Sequence, residues 1–139
     1  MTIRVRAGAT TALAFAAAGL GVGCANDLEG TPPPDNVFYF PIDLRISAGG
    51  GFAYVSSSNF DLRFNSGWLS VVDLERAVAL ASVAGDRAID SREPDVIANE
   101  LRVPSLGGTI AGFDDDSLLY IAHRSDRLIS VIEVANAST

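Results

Sequence analysis

The sequence predicts an all-β fold built of antiparallel, blade-like units, preceded by a separate N-terminal segment. The first observation behind this is an internal duplication. Phe52-Ala53-Tyr54-Val55-Ser56 is followed by Leu69-Ser70-Val71-Val72-Asp73-Leu74, and Leu118-Leu119-Tyr120-Ile121-Ala122 by Ile129-Ser130-Val131-Ile132-Glu133-Val134. The leading segments are offset by 66 residues and the trailing ones by 60, so only the connection changes length. Conserved packed strands with a variable surface connection are what a repeated β unit produces. The second observation is that short β-branched and aromatic runs alternate with Gly, Asp, Asn and Ser turns from Val37 onward. The third is that no ten-residue stretch after the N-terminal segment carries a clear helical period.

Taken in order, residues 1–23 read as a targeting signal. Arg4 and Arg6 supply a positive start, and Ala12 to Gly23 is an unbroken run of apolar and small residues. Its 12 residues are too few to span a bilayer, which needs about 20. The run ends at Cys24, the only cysteine in 139 residues, which leaves no partner for an intrachain disulfide. Residues 24–36 contain Pro32-Pro33-Pro34 among Asp27, Glu29 and Asp35, without apolar periodicity. They read as an acidic, proline-stiffened tether.

Residues 37–139 are the β domain, with units at about 41–84 and 101–139 and an insertion at about 85–100. Ile42, Leu44 and Ile46 alternate with Asp43 and Arg45 as in a half-buried strand. Gly49-Gly50-Gly51 supply a tight turn into Phe52–Ser57. The connection from Ser58 to Gly67 carries Phe60, Leu62 and Phe64, which predicts a loop with its own packed side chains. Trp68–Leu74 is expected to be a third strand, Asp73-Leu74-Glu75-Arg76 a turn, and Ala77–Val83 a fourth strand. The charged stretch 85–100 reads as a surface insertion. Leu101–Val103, Thr109–Phe113, Leu118–Ala122 and Leu128–Val134 are then the strands of the second unit, with Asp114-Asp115-Asp116-Ser117 as a turn.

Charge narrows the function classes. The chain has 17 carboxylates against 10 basic residues, all arginine, for a net charge of −7. Loss of Arg4 and Arg6 with the signal makes it −9, a field that opposes unaided nucleic-acid binding. His123, the sole histidine, is expected to be an ordinary loop residue beside Asp126, since no spacing marks a nucleophile elbow or an oxyanion loop. Asp114, Asp115 and Asp116 invite a calcium reading but lack the EF-hand order, so a solvated turn is preferred. Asp73 and Glu133 fit turn roles, while Tyr54 and Trp68 are expected between sheets. No metal, cofactor or catalytic set is expected from these residues.

Two resemblances extend this reading. Val22-Gly23-Cys24, after an apolar run, resembles the lipobox of bacterial lipoprotein signals, although Gly21 stands where that family usually has Leu. The resemblance implies diacylation of Cys24; an ordinary secretory signal or a buried free thiol are the competing readings. Ala25-Asn26 lacks the aspartate that this family associates with inner-membrane retention, which implies an outer-membrane lipoprotein of the cell envelope. Tyr54-Val55 with Ser70-Val71-Val72-Asp73, and Tyr120-Ile121 with Ser130-Val131-Ile132-Glu133, resemble the YVTN-type β-propeller repeat. That implies about two blades of an incomplete propeller acting as a binding or scaffold module, its partner another protein or an envelope component. The alternative is the N-terminal part of a propeller enzyme, such as a lactonase, whose active residues lie in blades outside this sequence.

Overall fold

The computed structural model describes residues 2–5, 30–125 and 127–135, and of 2–5 only the backbone. Cys24, most of the 1–23 segment and Asp126 therefore lie outside the described residues. Among the described residues eight strands and one helix follow one another as β1 (Thr2–Val5), β2 (Pro41–Ile46), β3 (Phe52–Ser57), β4 (Gly67–Asp73), α1 (Leu74–Ala84), β5 (Ile97–Val103), β6 (Gly107–Gly112), β7 (Leu118–His123) and β8 (Leu128–Ala135). They form two four-stranded antiparallel sheets, ordered β2-β3-β4-β5 and β1-β8-β7-β6. The all-β expectation thus holds at the level of class. Among the described residues no helix is long and apolar enough to cross a membrane.

The duplicated segments occupy equivalent places. In the first sheet Tyr54 pairs with Val71, and in the second Tyr120 pairs with Val131. The two sheets then close on one apolar core. Tyr54, Leu69, Val71 and Val103 from the first meet Ile110, Leu119, Ile121, Ile132 and Val134 from the second, with Phe52 and Leu101 at the margin. The alternation of side chains along each strand puts these residues on one face. Gly67 is needed where β4 passes close to β3, because a Cβ there would strike the carbonyl oxygen of Ser57.

Three expectations about elements are corrected. Ala77–Val83 is not a strand but part of α1, and the fourth strand of the first sheet is β5. The helix is explained by local chemistry. Asp73 is its N-cap and accepts the Arg76 N–H at 2.8 Å, Glu75 sits in the first turn, and Gly85 ends it with φ at 63°. Between these signals the segment is rich in Ala and Leu, which favour helix. Leu74, Ala77 and Leu80 then pack with Phe38 and Ile89 over Ala53, Val55, Val72 and Val96, on the face of the first sheet away from the second.

The second correction concerns 85–100 and 101–103. Ile97–Glu100 are sheet, not insertion, and Leu101–Val103 belong to the first sheet. The edge of β4 needs hydrogen-bond partners, and the chain supplies them only after the helical excursion. Glu100 is tolerated there because its carboxylate accepts from Ser70 Oγ at 3.1 Å and from the Asn36 N–H at 2.9 Å.

The third concerns β2, whose alternation is real but inverted. Ile42, Leu44 and Ile46 are 45–57% exposed, while Asp43 and Arg45 turn toward the second sheet. Asp43 accepts the Ile110 N–H at 2.7 Å. Arg45 pairs with Asp116 at 3.2 Å and donates to the Phe113 carbonyl at 2.9 Å. Polar side chains facing the neighbouring sheet satisfy backbone groups at its edge, so they win the inner face.

Residues 31–36 are docked on the body, unlike a free tether. Asn65 N–H donates to the Thr31 carbonyl at 3.0 Å, Trp68 Nε1–H to the Pro34 carbonyl at 3.2 Å, and Ser91 Oγ–H to the Asn36 carbonyl at 2.7 Å. Trp68 is therefore buried beneath this segment, with the Arg102 guanidinium 5.7 Å from its ring, while Tyr54 lies between the sheets as expected.

Candidate functional site

A groove of about 440 Å³ opens where one end of each sheet meets the other. Ile42 from β2, Ser58 and Phe60 from the loop after β3, Leu106 before β6, Gly107, Gly108 and Thr109 of β6, and Arg124 after β7 line it. A row of backbone hydrogen bonds holds these four segments in register. Ser58 N–H donates to the Phe40 carbonyl at 2.9 Å, Leu106 N–H to the Ser58 carbonyl at 2.7 Å, and Arg124 N–H to the Leu106 carbonyl at 3.1 Å. Asn59 adds a side-chain stitch, donating from Nδ2 to Ser105 Oγ at 2.8 Å.

The chemistry of the groove is that of binding. Ile42, Phe60 and Leu106 present apolar surface, and Arg124 places a cation at it. The Ser58 hydroxyl lies beneath the lining, buried and without a hydrogen-bond partner among the described residues. An apolar wall with a few polar groups is the general form of a ligand site. Such a site suits an amphipathic guest whose apolar part meets Phe60 and whose acceptor meets Arg124.

His123 lies next to this groove but not in its lining. It ends β7 and is buried, contrary to the loop position expected, with Nε2 2.8 Å from Ser130 Oγ. Ser130 pairs with Ile121 in the β7–β8 register, whose side chain belongs to the core between the sheets. Gly107 separates the histidine from the groove, since a Cβ there would lie 3.5 Å from His123 Cε1 and 3.4 Å from Ser56 Oγ. The imidazole Nε2 and the hydroxyl thus pair at the margin of the core. Burial of the imidazole beside the core, with Ser130 only half-buried, favours a structural pair over a nucleophile and its base.

The three aspartates of the β6–β7 turn divide their roles. Asp116 is buried rather than solvated, bonded to Arg45 and to the backbone N–H of Ala48. Asp115 accepts the Ser117 N–H at 3.0 Å, and this bond holds its carboxyl below the usual carboxylate range. Among the described residues no three His, Cys, Asp or Glu side chains gather as a metal site requires. Asp73 caps α1, and Glu133 is exposed on β8. Cys24 lies outside the described residues.

The loop that carries Phe60 is internally braced. Asn59 is buried and bonds both sides of Phe64, donating Nδ2–H to its carbonyl at 2.7 Å and accepting its N–H at 3.1 Å. The Tyr39 hydroxyl donates to Asp61 Oδ2 at 2.6 Å. That bond raises the Tyr39 phenol above its ordinary value and lowers the Asp61 carboxyl below its own. The depressed carboxyl contributes above the ordinary Asp range and is lost as pH falls through its folded value. The raised phenol contributes below pH about 10 and is lost as pH rises through its folded value. The brace is therefore expected to hold through neutrality and open at both extremes. Asp61→Asn should bring the alkaline titration of Tyr39, followed by its ring NMR signals, back toward the ordinary tyrosine value; an unmoved titration would show that the contact does not form.

Compared with protein-family models, with curated proteins and with solved structures, the chain matches none.

Proposed function

We propose that this chain is a lipid-anchored cell-envelope protein, acylated at Cys24, whose sheets are blades of a β-propeller and act as a binding or scaffold module. The observation that carries the reading is the second sheet, which buries one face against the first and leaves apolar side chains exposed on the other. Ile129 of β8 and Phe113 just after β6 are more than half exposed there, while Ile42, Leu44 and Ile46 stand about half exposed on the outer face of the first sheet that α1 partly covers. A sheet that buries one face against its neighbour and offers a second apolar face is what a ring of blades requires, since each blade is covered by the next. The meander β6-β7-β8 and the run β2-β3-β4 have the strand succession that the repeat resemblance implies. Cleavage before Cys24 would also remove β1 and free the outer edge of β8.

The inter-sheet groove supports binding as the activity, and its partner is another protein or an envelope component. The intact mass of the native protein, extracted from its membrane with detergent, tests the reading. A Cys24 N-terminus carrying acyl chains is the expected result, on the 116 residues that follow position 23 or on a longer chain with further blades. An unacylated chain recovered without detergent would overturn the anchor. A monomeric, stable product of those 116 residues alone would overturn the ring of blades.

A further inference from the structure

We propose that the loop face bearing Phe40, Phe60 and Leu62 is a docking patch for the lipid bilayer, on which the anchored protein rests. The inference depends on the reading of Cys24 as the acylated residue. Phe40, Phe60 and Leu62 are each at least 45% exposed. They are continuous with a run of aromatic rings: Phe60 lies 6.3 Å from Phe40, Phe40 5.0 Å from Tyr39, and Tyr39 4.7 Å from Phe64. Large apolar side chains gathered on one exposed face mark an interaction site.

The exposure is built into the backbone. Phe40, Asn59 and Leu62 have φ of 53°, 50° and 55°, a region bulky side chains seldom adopt. The buried Asn59 and the Tyr39–Asp61 bond hold the loop in that shape. The apolar side chains are thus presented outward by a braced scaffold instead of folding back into the core.

The occupant follows from where the chain enters the body. Asn65, three residues beyond Leu62 on the same loop, donates from Nδ2 to the Gly30 carbonyl at 3.1 Å and from its backbone N–H to Thr31. Six peptide steps separate Gly30 from Cys24, so the reach from the acylated residue to this loop is at most about 20 Å. Downstream, the bonds of Pro34 and Asn36 to the body leave no slack to lengthen the leash. The anchor therefore brings this face, rather than the far end of the sheets, to the membrane.

Charge selects the mode of contact. Asp61 and Arg63 offset one another on the loop, and the chain as a whole is acidic, so attraction to anionic lipid cannot supply the binding. Insertion of apolar side chains into the headgroup boundary does, and salt should leave it unchanged. Phosphatidylethanolamine and phosphatidylglycerol vesicles with brominated acyl chains, carrying the full-length acylated protein, test this. Trp68 is buried, so a tryptophan introduced at an exposed site is the reporter that lipid can quench. Leu62→Trp should be quenched strongly and Phe113→Trp, at the opposite end of the sheets, scarcely. Equal or absent quenching in a chain whose mass shows acylated Cys24 overturns the patch and leaves the anchor standing. A mass without acyl chains overturns the anchor, and the patch with it. Absent quenching together with a dimer that Leu62→Asp separates would assign the patch to a second copy and equally overturn the proposal.

Discussion

Replacing Tyr54 with Ala is expected to destabilise the protein by about 4 kcal/mol, the range for deleting a large buried aromatic side chain. Tyr54 is 2% exposed and is the largest fully buried side chain in the core shared by the sheets. Its loss leaves a cavity bordered by strands of both sheets, which cannot collapse without moving one sheet against the other. Urea unfolding followed by circular dichroism should show a lowered midpoint and both sheets unfolding together. Tyr54→Phe should cost far less, because it keeps the ring that fills the core between the sheets. An alanine variant within 1 kcal/mol of the parent, well below the usual cavity cost, would mean that the sheets do not depend on this core.

Asp116→Ala is expected to cost about 3 kcal/mol, the low end for breaking a buried ion pair, because Arg45 keeps partial access to water. The carboxylate is 95% shielded and joins the β6–β7 turn of the second sheet to Arg45 and the Ala48 N–H of the first. Alanine would also have to hold the residue's φ of 53°, which Asn tolerates better. Asp116→Asn should therefore retain part of the stability, and Arg45→Met, which removes the buried carboxylate's cation, should lose nearly as much as Asp116→Ala. Equal stability of all three variants and the parent, in the same urea measurement, would show that the sheets are held by apolar packing alone.

The inversion of β2 explains why this clamp was hidden in the sequence. A period of two distinguishes the two faces of a strand but does not say which is buried. Ile42, Leu44 and Ile46 carry the stronger apolar signal of a half-buried strand, yet they are the exposed side. Arg45 and Asp116 are separated by 71 positions, and nothing local marks them as partners. The solvated-turn reading of Asp114-Asp115-Asp116 holds for the first two, which are exposed, and fails for Asp116 for the same reason, since only the arrival of the first sheet buries it.

The helix was a different kind of miss. Asp73 as N-cap, Glu75 in the first turn, an Ala-rich interior and Gly85 at the end were all legible as helix signals. The expectation that a third strand is followed at once by a fourth overrode them. Repeat periodicity thus suppressed local evidence that was correct. The candidate groove had no comparable signal, because its walls come from β2, the loop after β3, the start of β6 and the turn after β7.

By itself the sequence determined the class of fold, the positions of β3, β4, β7 and β8, and the burial of Tyr54, because strand alternation and turn residues act over a few neighbours. It also determined the acidic charge and the single cysteine, which follow from counting. Only the tertiary structure decided that β5 completes the first sheet, that β2 turns its charged residues inward, that residues 31–36 dock on the body, and that His123 is buried against Ser130. Each of these depends on a hydrogen bond or contact between distant segments, formed because a polar group or sheet edge taken out of water must find a partner wherever the chain can supply one.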